Sequence, residues 1–304
     1  MREEQIMNKD ELKEFVLANP KLVSMKPAGD GIYVLKYSKR VFYDNLWNDF
    51  LEECRGTIVD ADFNVVSRPF TKIYNYGVED KSPVLSEDTI VECFRKVNGF
   101  MVAVTWHNGK LLVSTTGSTA NDYVDMANSF IDKRRETFER YVSGFPDLTF
   151  MFECVHENDP HIIVEKPGLY LLGYREKTWE SRSQNDGLSL YHQYALSDHQ
   201  VEWKRCTLGE VLKEVKTVKH EGFVFYTEDF KVSAKIKSPY YLTSKWVARN
   251  PRTDKLVNMQ ADIKQQLDEE YYPLVDAIRE NIEQYTEMDE QARLSWVRNY
   301  LEMA

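Results

Sequence analysis

Phe94-Arg95-Lys96-Val97-Asn98-Gly99-Phe100-Met101-Val102-Ala103-Val104 sets a lysine just before a glycine turn that opens into an apolar run. The run is β-branched and aromatic enough for a buried strand. A lysine at the mouth of such a strand is costly to bury without a task or a partner. Read alone, Lys-x-Asn-Gly describes an ordinary turn with a solvated lysine. Four further stretches change that reading: Glu52-Glu53-Cys54-Arg55-Gly56, Phe152-Glu153-Cys154, Glu221-Gly222-Phe223 and Ala234-Lys235-Ile236-Lys237-Ser238. Each puts a charge at the edge of an apolar strand.

Those charges call for partners. Glu153 interrupts the apolar strand expected over Thr149 to Val155, where a lone carboxylate needs an opposite charge or a hydrogen bond. Period two puts Lys235 and Lys237 on one face, with Ile236 opposite in the core. Two like charges side by side are unfavourable unless an anion or carboxylates sit between them. A triphosphate or a pair of acidic neighbours would both serve. Arg55 opens a hairpin of Thr57 to Asp60 and Val65 to Ser67, turning at Asp62-Phe63-Asn64.

Around these stretches the chain reads as alternating short strands and helices. Asn8-Lys9-Asp10-Glu11 is a capping-box pattern for a helix that Asn19-Pro20 stops. Gly29-Asp30-Gly31 turns into a strand over Ile32 to Tyr37, and a further short strand is expected over Val41 to Tyr43. Asn108-Gly109 joins strands Phe100 to Trp106 and Leu111 to Thr115. Ser118 or Thr119 is expected to cap one helix running to Gly144, with Tyr123, Met126, Ala127, Phe130, Phe138 and Val142 on its apolar face. In the strand Leu169 to Tyr174, Tyr170, Leu172 and Tyr174 share a face. Thr178 to Gln200 reads as a polar, irregular connection. Thr207-Leu208-Gly209-Glu210 is a second capping box, for a helix reaching about Lys219. From Pro239 the pattern is helical, with one stripe of Tyr271, Leu274, Val275, Ile278 and Ile282 and another of Leu294, Val297, Tyr300 and Leu301.

With 304 residues the chain has room for one large or two modest domains and a real core. No apolar run approaches the roughly 20 residues that span a bilayer, and Met1 to Asp10 has no signal-peptide core. Cys54, Cys93, Cys154 and Cys206 are far apart, which argues for reduced thiols in a cytoplasm and against zinc or disulfides. A net charge of −10 is awkward for a nucleic-acid protein and demands a local basic groove.

Taken in order, ECRGTIVD, SRPFTKIYN, KVNG, STTGS, FMFECV, LYLLGYRE, EGFVF and KIKS resemble the motif series of the covalent nucleotidyltransferases. Within that superfamily the chain looks like the ATP-dependent RNA ligases of the RNA ligase 1, phage tRNA-repair type. The resemblance runs from about Tyr33 to about Trp246. It implies an α+β nucleotidyltransferase fold, ATP-grasp-like, with antiparallel sheets flanked by helices, in an adenylyltransferase domain over 1–245. A small helical C-terminal domain would cover 246–304.

The resemblance also implies roles. Lys96 is the residue that takes AMP, with ATP as the nucleotide and Mg²⁺ or Mn²⁺ as the metal. Arg55 and Lys72 match residues that contact the ATP phosphates, a task suited to a bidentate guanidinium. Lys235 and Lys237 belong to the same phosphate set, Asn98 and Gly99 to the nucleotide site. Glu153 matches a residue that contacts the sugar or supports the metal, and Glu221 is the first candidate to hold the metal. Leu172, with Tyr174 second, would pack on adenine. Burial and the neighbouring cations Lys235, Lys237 and Arg55 are expected to lower the pKa of Lys96.

The chain departs from the pattern in two places. Many relatives have an aspartate where Asn98 stands and a lysine where Thr116 stands. Partners implied are RNA 5′-phosphate and 3′-hydroxyl ends, including cleaved tRNA, with a separate end-healing kinase-phosphatase and no membrane. The compartment implied is the cytoplasm, a host's if the chain is phage-encoded. Rival readings are a DNA ligase, a GTP-using capping enzyme, or an RNA-binding protein with a decayed site. The tail has too few strand signals for the β-barrel domain of the first two.

Overall fold

The structure is a computed structural model and describes residues 7–78, 81–180, 190–249 and 272–303. Its strands form three sheets. The first runs in the order β1 (Val23–Pro27), β2 (Ile32–Tyr37), β3 (Arg55–Asp60), β4 (Val65–Ser67). The second places β10 (Gly168–Glu176) beside β9 (Leu148–Val155), then β7 (Phe100–His107) and β8 (Lys110–Ser114). The third is ordered β11 (Trp203–Thr207), β6 (Ile90–Arg95), β12 (Gly222–Thr227), β13 (Ser233–Lys237), β5 (Tyr74–Asn75). All pairings are antiparallel except β13 with β5. The fold is therefore α+β, with helices packed on antiparallel sheets as expected.

Local chemistry accounts for most of these elements. The Asn8 side chain accepts the N–H groups of Asp10 and Glu11 and starts the helix Lys9–Ala18. Asn108 and Gly109 both have positive φ, 48° and 76°, the conformation a two-residue hairpin needs between β7 and β8. The inner face of the second sheet buries Val102, Val104, Phe150, Phe152 and Leu171 against Val124, Ala127, Ile131, Phe138 and Val142. Fully burying one such side chain contributes about 1.5–3 kcal/mol.

Several expectations are corrected. Residues 39–43 form a short helix, Lys39–Tyr43, and not a strand. A three-residue apolar run has no period of its own, and Val41 alone turns into the core beneath β2. The helix expected from Ser118 starts later, capped by Asn121, whose side chain accepts the N–H of Val124. It is also two helices, Asp122–Ile131 and Arg135–Ser143, separated by a 3₁₀ turn at Asp132–Arg134. The second capping box is present at Thr207 and Glu210, but its helix ends at Glu214. Within the stretch read as irregular, residues 181–189 lie outside the described residues, and Leu190–Leu196 is helical. Strands β1, β5, β6 and β11 have no counterpart in the sequence reading.

A buried ion cluster ties the first two sheets together. Glu53 Oε1 lies 2.6 Å from Arg68 Nη2 and 3.1 Å from Arg175 Nη2. Arg175 also donates to the carbonyl of Pro69 at 2.6 Å, and Arg68 to that of Thr178. All three side chains are almost wholly enclosed, and a buried charge is tolerated only when paired and hydrogen-bonded this completely.

After β13 the chain continues in the helix Pro239–Arg249 and the helices Tyr272–Glu280, Ile282–Glu287 and Glu290–Met303. Leu274, Val275, Ile278 and Val297 share one apolar cluster with Tyr241, Ala248, Ile162 and Ile163. Tyr271, placed in the first stripe by the sequence, lies outside the described residues.

Candidate active site

The link from β6 to β7 is pinned on both sides. Lys96 donates its backbone N–H to the carbonyl of Gly222 at 2.8 Å. Gly99 donates its own to Glu153 Oε1 at 3.1 Å. A Cβ on Gly99 would stand 2.3 Å from the carbonyl oxygen of Cys154, so only glycine lets the turn approach β9 this closely. Gly222, with φ +132°, is equally constrained: a Cβ there would meet the Ile236 carbonyl oxygen at 2.0 Å. These two glycines bring Glu153 and Glu221 to the same lysine.

Glu221 is the hub. Its Oε2 lies 3.0 Å from Lys96 Nζ and accepts Asn98 Nδ2 at 2.7 Å, while Oε1 lies 3.3 Å from Lys237 Nζ. Burial raises the cost of its charge, but Lys96 and Lys237 outweigh that and hold its carboxyl below the usual range. For Glu153 the balance falls the other way. Burial pushes its carboxyl up, Lys96 offsets part of this, and the charge of Glu221 adds to the rise.

Lys96 itself corrects an expectation. Burial alone would push its ammonium down, but the charges of Glu153 and Glu221 more than offset this and hold it above the ordinary lysine range. The lysine that burial does lower is Lys235. Enclosure comes first, then the charges of Arg55, Lys237, Lys96 and Lys72, and together they bring it to about 7.

Lys96, Glu153, Lys235 and Arg55 border a cavity of about 240 Å³. Lys96, Arg55, Lys235 and Glu153 supply its polar edge, and Phe94, Leu172, Val224 and Tyr226 are among its apolar walls. The Arg55 side chain is braced by a 2.8 Å hydrogen bond to the carbonyl of Thr71. With Arg95, which is paired with Glu165, the cavity lining carries four cations and one acid beside aromatic and aliphatic walls. The cavity can hold a ring on its walls and phosphates at its edge.

The remaining sequence-derived candidates stand behind or beside the cavity. Asn98, Gly99, Glu221 and Lys237 form its backing rather than its lining. Lys72 is buried, its ammonium 4.2 Å from the Tyr74 ring and 4.8 Å from that of Trp47, and its charge is felt at Lys235. Tyr174 is not brought to the cavity. A β-bulge between Leu171 and Gly173 breaks the expected alternation, because an extra residue reverses the facing of everything after it. Leu172 stays with Tyr170 on the cavity side, while Tyr174 packs on the other side against Phe150 and His192. Sequence reading missed Phe94, Val224 and Tyr226. The last two alternate with the core residues Phe223 and Phe225, a signal that period two could have supplied.

Among the described residues no group of three or more His, Cys, Asp or Glu could hold a metal ion by itself. Magnesium commonly takes one or two carboxylates and completes its shell with water and phosphate oxygens. Glu221 and Glu153 provide two hard oxygen donors of that kind at one lysine, and each charge disfavours the other, so the pair fits a divalent cation.

A family model described as RNA ligase matches residues 53–241. None of the curated proteins matches the sequence. Among solved structures, an archaeal ATP-dependent RNA ligase in its form 1 is similar, with 18% identity over 95% of this chain and 76% of its own, at a TM-score of 0.54. Form 2 gives 18% identity over 96% and 76% at 0.52. A chain provisionally described as an ATP-dependent DNA ligase of Aquifex aeolicus gives 18% over 95% and 77% at 0.50. At this identity the likeness concerns the fold, and it extends to ligases of both nucleic acids.

Proposed function

The chain belongs to the RNA ligase family, and from that premise we propose that it joins RNA 5′-phosphate and 3′-hydroxyl ends at the expense of ATP, through Lys96. The observation that carries the reading is the meeting of Lys96, Arg55, Lys235 and Glu153 on one small cavity with apolar walls.

In this reading the neutral amine of Lys96 attacks the α-phosphorus of ATP. A P–N bond forms, the bond to the β-phosphate oxygen breaks, and pyrophosphate leaves with the electron pair. Arg55 and Lys235 hold the phosphate oxygens and stabilise the charge that builds on them, with Lys237 and Lys72 behind. Leu172, Phe94 and Tyr226 receive the adenine. The AMP then passes to an RNA 5′-phosphate, and a 3′-hydroxyl displaces it to form the phosphodiester. Asn98 positions Glu221 rather than touching the nucleotide.

Glu221, with Glu153 second, would hold Mg²⁺ or Mn²⁺. When bound there, such an ion would supply charge neutralisation for the triphosphate, and Glu221 and Glu153 would then be shared between it and the Lys96 ammonium. That sharing matters because those carboxylates are what keep the amine protonated.

Residues 1–245 form the adenylyltransferase domain in this reading and 246–304 a helical one, with the helix Pro239–Arg249 running across the division. Repair of cleaved tRNA, with a separate enzyme preparing the ends, is the setting we favour. Four free thiols, three of them buried, suit a reducing cytoplasm. No described helix is long and apolar enough to cross a membrane.

The test is incubation with α-labelled ATP and Mg²⁺, followed by a denaturing gel. Label should stay on the wild-type chain and be absent from Lys96→Ala. A chain labelled only by GTP, or by neither nucleotide under any metal, would overturn the reading. Circularisation of a 5′-phosphorylated RNA, with no sealing of the matching DNA, then decides the substrate.

A further inference from the structure

A second, larger hollow of about 760 Å³ lies beside the cavity and shares Met101 with it. The two are joined along the β2–β3 pair. Lys36 on β2 is the register partner of Arg55 on β3, and Lys36 lines the larger hollow while Arg55 lines the smaller. Like charges in that relation are unfavourable unless an anion lies between or beside them. The loop after β8 closes the junction. Thr116 Cα would lie 2.8 Å from a Cβ on Gly56, whose φ is +101°, and Gly117 lies under the Lys36 ammonium.

The lining suits a nucleic-acid strand. Lys26 and Lys36 supply charge, Thr116 and Ser118 supply hydroxyls, and Tyr123 offers a ring that is 43% exposed with its edge contact to Phe100. The carboxylate among its described lining residues, Asp159, is paired with His161 Nε2 at 2.8 Å. In a chain of net charge −10, a local groove with this balance is where a phosphodiester backbone is tolerated.

Resting on the ligase reading above, we propose that this groove seats the single-stranded RNA end, with Lys36 on a backbone phosphate and Tyr123 under an unstacked base. Ring stacking of this kind is indifferent to base identity, so the groove recognises RNA ends without sequence preference. The shared chemistry is a ribose-phosphate strand, and either reacting end could supply it.

Crosslinking separates the two ends. The wild-type chain is irradiated with a 4-thiouridine RNA carrying a 5′-phosphate and a blocked 3′ end, and separately with one carrying a 3′-hydroxyl and no 5′-phosphate. We expect one of them to mark residues 116–123, and that strand is the occupant. Lys36→Glu should weaken binding of the same RNA about ten-fold and reduce its salt slope by about one. Crosslinks that map elsewhere with both RNAs, or wild-type affinity and slope in Lys36→Glu, would overturn the groove. Absence of labelled lysyl-AMP on the wild-type chain would instead overturn the ligase reading, and the crosslinks alone would then decide the groove.

Discussion

Asn98 and Glu221 are joined by a 2.7 Å hydrogen bond from amide to carboxylate, and the other end of the same amide accepts the N–H of Ile163 at 3.1 Å. Both bonds are buried. An asparagine can donate at one end and accept at the other, which an ionised aspartate cannot. Both ends of the Asn98 amide are therefore in use at this position.

Asn98→Asp is accordingly expected to harm rather than restore. It would set two carboxylates at hydrogen-bond distance, where both cannot ionise together. Stability should fall by about 1–3 kcal/mol, the usual cost of a buried unsatisfied group. Lysyl-AMP formation at neutral pH should fall about ten-fold, as one pKa unit of misplaced charge implies. Urea melts and the labelled-ATP assay read the two effects. A variant as stable and as active as the wild type would show that the amide bridge has no consequence.

Glu53 is a stability residue rather than a site residue. Burial opposes its charge, but Arg175 and Arg68 bring its carboxyl down to about 2. The sign follows from the depressed value. Its contribution is fully present above the unfolded carboxylate value of about 4.3 and is lost as pH falls through about 2. Glu53→Gln should cost about 3–5 kcal/mol by stranding two buried guanidinium groups. It should also flatten the acid limb of stability measured by denaturant midpoints between pH 5 and 2.

Lys235 makes a prediction about protons. With its amine at about 7, it is partly neutral just above neutral pH, and a polyanion placed beside it would draw a proton back. Pyrophosphate binding at pH 7.5 should therefore take up a fraction of a proton, seen as a buffer-dependent heat in calorimetry, and Lys235→Met should abolish that dependence. As with Glu53 the depressed value makes stability rise with pH, but here it is the charged form that costs. The cost of a protonated buried lysine is full below about 7 and fades as pH rises toward the ordinary lysine value of about 10.4. Lys235→Met should thus stabilise the chain at pH 6 more than at pH 10. Equal effects at both would mean that this amine titrates normally.

Much of this was legible in advance because the signals are local. Charges at the ends of apolar strands single out Lys96, Glu153, Glu221 and Lys235 from the sequence alone. The hairpin at Asn108-Gly109 and the caps at Asn8 and Thr207 follow from side chains a few residues away. What failed was non-local. The bulge that turns Tyr174 away is set by pairing with β9, and the helix at Lys39–Tyr43 by the core that receives Val41. The raised pKa of Lys96 depends on which carboxylates reach it first, and sequence order says nothing of that. It also gave no hint that residues 161–163 reach Asn98.

That reach carries the last prediction. Arg298, on the helix Glu290–Met303, donates to the carbonyl of His161 at 2.6 Å and to that of Ile162 at 3.3 Å. Ile162 and Ile163 pack in the same apolar cluster as Leu274 and Val297. The helices after residue 272 thus hold the short segment whose next N–H bonds Asn98, and Asn98 holds Glu221 against Lys96. Arg298→Ala should slow lysyl-AMP formation several-fold although it lies three contacts from the carboxylate. If the effect passes through Asn98, Arg298→Ala and Asn98→Ala will not add. Their coupling in the rate of the first step should be about 0.5–3 kcal/mol, as for residues in one hydrogen-bonded network. Arg298→Lys, which keeps a donor but not the fork, should recover only part of the loss. Strictly additive single variants would confine Arg298 to packing the helices and leave Glu221 to be positioned by its own strand.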